Sequence, residues 1–168
     1  MIDQDGYRLN VGIIIANKQG KLFWGKRVYQ DAWQFPQGGI RENETPQQAV
    51  FRELKEEVGL SPSDVRVLGR TDDWLHYNLP KHLIRHYSQP VCIGQKQVWF
   101  MLGLEAPEYA INVSHHTTPE FETWSWVDYW QPVQDVVSFK QEVYHQALIQ
   151  LEDCLNKFWL TSQVVEKQ

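Results

Sequence analysis

The stretch from Gly38 to Leu60, GGIRENETPQQAVFRELKEEVGL, constrains this chain more than any other, because it spells a loop, one helix and a stop. Thr45 can cap the helix with Gln48 three residues on, each satisfying a free backbone donor of the other, and Pro46 sits at the tolerated first position. Gly59 ends it as a left-handed residue would. At about 100° per residue, Phe51, Leu54 and Val58 fall on one side and Glu53, Glu56 and Glu57 on another, with small Ala49 between the acids at the N-terminal end. One face is expected to pack and the other to display carboxylates.

Glu53 and Glu57 form an i, i+4 like-charge pair with Glu56 beside them, an arrangement that costs roughly 0.2–0.5 kcal/mol per pair in an isolated helix. A bound cation would offset this, and hard divalent ions choose carboxylate oxygens, with Mg²⁺ joining one or two of them to substrate phosphates. Arg52 can support the cluster from its flank by reaching Glu56 or, in the loop, Glu44. Three glutamates alone read equally well as a solvated face, so the spacing has to decide.

That spacing resembles the Nudix box, Gly-x5-Glu-x7-Arg-Glu-U-x-Glu-Glu-x-Gly-U with U aliphatic. It matches at Gly38, Glu44, Arg52, Glu53, Leu54, Glu56, Glu57, Gly59 and Leu60, with no departure. From ordinary residue usage, a chance match has a probability on the order of 10⁻⁹ per start position.

The 168 residues suit one domain spanning 1–168, long enough to bury about 70% of the unfolded surface. A hydrophobic fraction of 42%, with eight Trp, seven Tyr and seven Phe, excludes a disordered chain. The net charge of −5 argues against a protein that coats long nucleic acids, which would carry a broad basic surface. Cys92 and Cys154 are far apart and in no paired metal spacing, so no disulfide framework or zinc site is expected. The N-terminus lacks a basic region followed by an apolar run, and no apolar stretch approaches the ~20 residues that span a bilayer. A soluble, cytoplasmic protein with no membrane association is the expectation.

Along the chain, Val11 to Ala16 and Lys21 to Lys26 read as a hairpin around Asn17-Lys18-Gln19-Gly20. It brings Arg8 and Arg27 near the same end of the sheet. Trp33-Gln34-Phe35 is a brief strand broken by Pro36, and Gly38 and Gly39 allow a backbone close to a phosphate or metal. Val65 to Leu79 and His82 to Tyr87 suggest a second hairpin with Tyr77, Lys81 and Arg85 at its tip. Lys96 to Leu104 is a near-continuous apolar run and reads as a buried central strand. Residues 105 to 121 form a long loop in which Glu120 is a fourth carboxylate able to swing towards the box, whereas His115 and His116 lack a companion at helical spacing. Trp124 to Val127 is a last strand, and Asp128 starts a short helical turn. Ser138 with Gln141 opens a helix over about 139–158, along which Val143, Ala147, Leu151, Leu155 and Phe158 make an apolar stripe.

Beyond the box, residues 1 to about 145 resemble the bacterial RNA pyrophosphohydrolase branch of the Nudix hydrolases. The stretches that carry this are Asp5-Gly6-Tyr7-Arg8, Trp33 to Gly39, Pro90 to Gln97, Thr118-Pro119-Glu120-Phe121 and Val136 to Lys140. The resemblance implies an α+β Nudix fold, a mixed β-sheet sandwiched between α-helices. It implies removal of pyrophosphate from the 5′-triphosphate end of RNA, leaving a 5′-monophosphate that exposes messages to decay. It also implies Mg²⁺, or Mn²⁺ or another divalent cation in its place, held by Glu53, Glu56, Glu57, Glu120 and Gly38. Catalysis is assigned to Glu53, Glu57, Glu120 and Arg52, with the general base open between Glu53 and Glu57 and Glu120 next. Substrate contacts fall on Arg8, Arg27, Tyr77, Lys81, Val137, Ser138, Phe139 and Lys140, with Phe139 stacking on a base. The chain departs from such relatives at Val165 to Gln168, where a Lys/Arg-rich tail is common, so no tail is expected to add RNA affinity.

Two rivals follow from the same residues. Dinucleoside polyphosphates of the Ap4A type would suit the same metals and fold. A nucleotide-binding module that has lost catalysis would be expected to lack some of Arg52, Glu53, Glu56 and Glu57, all of which are intact. No residue pattern bears on a stimulatory protein partner.

Overall fold

In the computed structural model, residues 1–161 are described, so the expectations for Val165 to Gln168 and for the end of a 1–168 domain lie outside the described residues. The centre is a parallel pair, β1 (Tyr7–Ala16) and β7 (Gly94–Leu104), in continuous register from Tyr7 opposite Gly94 to Ala16 opposite Gly103. All other strand pairings are antiparallel. β2 (Leu22–Arg27), β3 (Trp33–Gln34) and β4 (Gln37–Gly39) follow β1 in the chain, and β5 (Val65–Arg70), β6 (Leu75–Asn78) and β8 (Phe121–Val127) complete an eight-stranded mixed sheet. Its main order is β3-β2-β1-β7-β5, with β4 on β1, β6 on β7 and β8 on β2.

The apolar run of β7 is continuous because both faces are covered, as a central strand requires. Val98, Phe100, Leu102 and Leu104 pack with Ala49, Val50, Leu54 and Val58 of α1 (Pro46–Val58). Trp99 and Met101 face the other way, against Tyr144, Leu148 and Leu151 of α3 (Gln141–Leu155). A short α2 (Gln131–Asp135) precedes α3. The sheet therefore lies between helices, as the sequence led one to expect, and each fully buried Leu, Ile or Phe contributes roughly 1.5–3 kcal/mol.

Three local expectations need correction. The second hairpin does not form: β5 and β6 both pair with β7, β6 in the register Leu75 opposite Gln97 to Asn78 opposite Gly94. Pro80 lacks a ladder donor, and Lys81–Leu83 turns as a short 3₁₀ segment in place of a return strand. The first hairpin survives as one pair, Ala16 opposite Leu22, because β2 then leaves for β8 and β3. At the C-terminal helix, Ser138 makes no cap: Ser138–Lys140 is a 3₁₀ turn and α3 starts at Gln141. Val143, Ala147, Leu151 and Leu155 are buried as expected, but Phe158 is exposed. The π-helical turn Asn156–Leu160 holds an extra residue and rotates Trp159 inward instead, where its indole N–H donates to Asn17 O at 2.8 Å.

Candidate active site

The helix that carries the acids is held at both ends by its own sequence. Thr45 Oγ1 accepts from the Gln48 N–H at 3.1 Å and Gln48 Oε1 accepts from the Thr45 N–H at 2.9 Å. Gly59 adopts φ 78°, which a side chain would resist, and donates to Lys55 O. Between these caps, Glu53 and Glu57 are buried at 9% and 8% exposure, while Phe51 is only half-buried. The carboxylate face is thus covered, and what covers it is the strand β4. At Gly38 a Cβ would lie 2.0 Å from Glu53 Cδ, so no larger residue fits there.

Arg52 neutralises one side of the cluster. Its Nε and Nη2 donate to the two Glu44 carboxylate oxygens at 2.8 and 2.9 Å, Nη1 donates to Glu53 Oε1 at 2.6 Å, and Nη2 also reaches Gly39 O at 2.7 Å. The hydrogen bonds from Arg52 hold the Glu44 carboxyl down at about 2. Glu56 stands at 3.9 Å from Nη1, so both partners foreseen for Arg52 are present and Glu44 is the tighter.

Glu57 has no such guanidinium. Burial, and then the negative charges of Glu53 and Glu120, push its proton affinity well above the ordinary carboxylate range, against one backbone N–H donated by Gln37 at 3.2 Å. Burial also raises Glu53, with Arg52 pulling the other way. Glu57 thus feels the charge of a carboxylate on α1 and of another in the loop before β8.

Glu57 and Glu120 face a cavity of about 300 Å³ whose other walls carry Arg27, Tyr77, Phe139 and Lys140. Arg27 Nε donates to Glu120 Oε1 at 3.2 Å. Lys140 is buried, donates to Gln34 Oε1 at 3.1 Å and lies 5.9 Å from the centre of the Tyr77 ring. Burial, followed by the Arg27 charge, lowers its ammonium to about 8. The Tyr77 and Phe139 rings are tilted at 44° with centroids 5.7 Å apart, and burial pushes the Tyr77 hydroxyl up.

Six of the residues singled out from the sequence therefore meet in one cavity: Glu57, Glu120, Arg27, Tyr77, Phe139 and Lys140. Glu53 stands behind Glu57, and Glu56 is on the half-exposed flank. Val137 and Ser138 are exposed just before Phe139, and Lys81 is exposed on its turn. Arg8 borders a neighbouring cavity. The glutamines are what sequence reasoning missed. Gln34, Gln37 and Gln95 line the site, and beneath them fully buried Gln97 donates to Asn10 Oδ1 at 2.8 Å and to Gln37 Oε1 at 3.2 Å. Their signal was available: polar amides inside otherwise apolar strand segments have to find partners.

The donors suit a hard divalent cation, since carboxylate oxygens crowd together and Glu57 has no guanidinium of its own, Arg52 serving Glu44 and Glu53 and Arg27 serving Glu120. Among the described residues, no group of three or more His, Cys, Asp or Glu side chains forms a ready metal cage.

Comparison with known proteins gives the same outline. The NUDIX domain family matches residues 6–147. The chain is 77% identical over 164 residues to the RNA pyrophosphohydrolase of Hydrogenovibrio crunogenus, covering 98% of this chain and 99% of that protein. It is 57% identical over 151 residues to the RNA pyrophosphohydrolase of Marinomonas sp., covering 90% and 94%. Among solved structures, the E. coli dihydroneopterin triphosphate pyrophosphohydrolase superposes with TM-score 0.67 at 22% identity, over 86% of this chain and 98% of that one. A C. elegans Ap4A hydrolase does so with TM-score 0.57 at 17% identity, over 82% and 93%. At such identities the likeness is one of fold.

Proposed function

The chain belongs to the NUDIX family, and from that premise we propose that it is an RNA pyrophosphohydrolase, which converts 5′-triphosphate RNA ends to 5′-monophosphate ends with release of pyrophosphate and so promotes mRNA decay. The observation that carries this reading is the composition of one cavity: an acidic wall of Glu57 and Glu120, a basic wall of Arg27 and Lys140, and the tilted rings of Tyr77 and Phe139.

Phosphoryl transfer asks the protein mainly for positioning and charge neutralisation. Glu53, Glu56, Glu57 and Glu120, with the Gly38 backbone, would hold Mg²⁺, or Mn²⁺ in its place, which when bound neutralises phosphate charge and makes water a better nucleophile. Arg52 keeps Glu53 oriented and the loop at Glu44 closed. Arg27 and Lys140 supply donors to phosphate oxygens or the first nucleotides, and Arg8, Lys81, Val137 and Ser138 extend this contact along the rim. The proton of the attacking water would pass to Glu53 or Glu57, with Glu120 next, and the place of Glu57 and Glu120 on the cavity wall supports those two. Phe139 stacks on a base, a contact worth about 1–3 kcal/mol that tolerates any sequence.

Dinucleoside polyphosphates form the second substrate class, since acidic and basic walls with an aromatic platform accept any base-bearing polyphosphate. Work on message ends belongs in the cytoplasm. Among the described residues no helix is long and apolar enough to cross a membrane, and Cys92 and Cys154 are free thiols. The test is product identity. With Mg²⁺ and a 5′-triphosphate RNA, pyrophosphate and a monophosphorylated RNA are expected, and an RNA recovered with all three phosphates would reject the reading.

A further inference from the structure

Beside the site lies a second cavity of about 220 Å³, and the two share Leu79, Leu83 and Gln95 as common wall. Its far side carries Arg8 and Arg85. Among the described residues neither guanidinium is in an ion pair, although Arg27, Arg52 and Arg66 all are. In a chain of net charge −5, two arginines outside any ion pair and facing one concavity concentrate positive potential there.

The wall is tied down by backbone bonds. Ile2 bridges to Arg8 on β1. The segment that carries Arg85 is pinned at its two ends, by Leu79 N–H to Ile93 O at 2.8 Å and Ile93 N–H to Gly6 O at 2.9 Å, and a turn closes from Ser88 N–H to Arg85 O at 3.1 Å. At the junction of the two cavities the buried Oε1 of Gln95 has no hydrogen-bond partner.

We propose that this second cavity is the exit path of the RNA strand, with Arg85 and Arg8 on a phosphodiester downstream of the nucleotide that Phe139 receives. The proposal rests on the RNA reading given above. A single phosphate group with its ribose matches the size of the cavity, and continuity of the walls lets the strand pass over Leu79 and Leu83 without leaving the surface. The path is sequence-tolerant, because guanidinium-to-phosphate contacts position a strand and carry no base information.

The test compares Arg85→Ala with wild type on a 5′-triphosphate dinucleotide and a 5′-triphosphate tetranucleotide. The variant should raise KM on the tetranucleotide about tenfold, the loss expected for one charge-assisted contact, and change the dinucleotide less than about twofold. Arg85→Lys should recover most of the loss. Binding of a 5′-monophosphorylated tetranucleotide, measured without turnover, should lose about 0.7 from its log–log salt slope in the alanine variant. An equal effect on both lengths, or none on either, overturns the exit path and leaves the RNA reading standing. A wild-type enzyme inactive on both lengths overturns the RNA reading itself.

Discussion

Gln37 donates its backbone N–H to Glu57 Oε2 at 3.2 Å while its side-chain oxygen accepts from buried Gln97 at 3.2 Å. One residue thus couples the helix that carries the acids to the two central strands, through β4 and through an amide chain that ends on Asn10. The acidic cluster is held from below by hydrogen bonds in addition to the helix's own packing.

Glu57→Gln should lower kcat by at least about 10²-fold, the scale of losing one group that stabilises transition-state charge, while raising Tm or leaving it unchanged. The stability sign follows from burial: folding takes a repelled carboxyl out of water, and the neutral amide lightens that cost. Circular dichroism with single-turnover kinetics separates the two effects. A large fall in Tm would contradict this account of Glu57.

Gly38→Ala places a methyl where Glu53 Cδ lies 2.0 Å away. Overpacking of this kind costs about 1–3 kcal/mol, so Tm should drop by several degrees, and activity at limiting Mg²⁺ should fall more than at saturating Mg²⁺. Thermal melts and a Mg²⁺ titration check both halves.

Lys140 gives two pH dependences of opposite consequence. Its ammonium is lowered from an ordinary 10.5 to about 8 by burial and by Arg27. Between those values the unfolded chain binds more protons than the folded one, so unfolding free energy should rise with pH across that window. Over the same window the neutral amine no longer attracts phosphate, so kcat/KM should fall above pH 8. Lys140→Met should be more stable than wild type at pH 7, with lower activity and no basic limb assignable to this residue.

Phe139→Ala should reduce kcat/KM on RNA by about 10- to 100-fold, the equivalent of one stacked base, and much less on inorganic polyphosphate, which has no base to stack. Equal losses on both substrates would reject the stacking role.

The caps Thr45, Gln48 and Gly59 and the central position of β7 were legible in the sequence because each follows from neighbouring residues or from an uninterrupted apolar run. The burial of Glu53 and Glu57 was not. Angular position on a helix tells which residues share a face, and only the remote strand β4, brought in by pairing with β1, determines that this face is covered. The pairing of β6 with β7 is non-local in the same way. Phe158 was misplaced because a π-turn breaks the period on which the apolar stripe of α3 was projected. At the site, charged and aromatic residues announced themselves, whereas Gln34, Gln37 and Gln97 did not: an amide matters here through partners up to 106 residues distant in the chain.

The most direct measurement sets initial rates on a short 5′-triphosphate RNA beside those on Ap4A, at equal concentration with Mg²⁺, for wild type and Glu57→Gln. Faster pyrophosphate release from the RNA, abolished in the variant, is the predicted result. A strong preference for Ap4A, or a variant that retains wild-type rates, would contradict it.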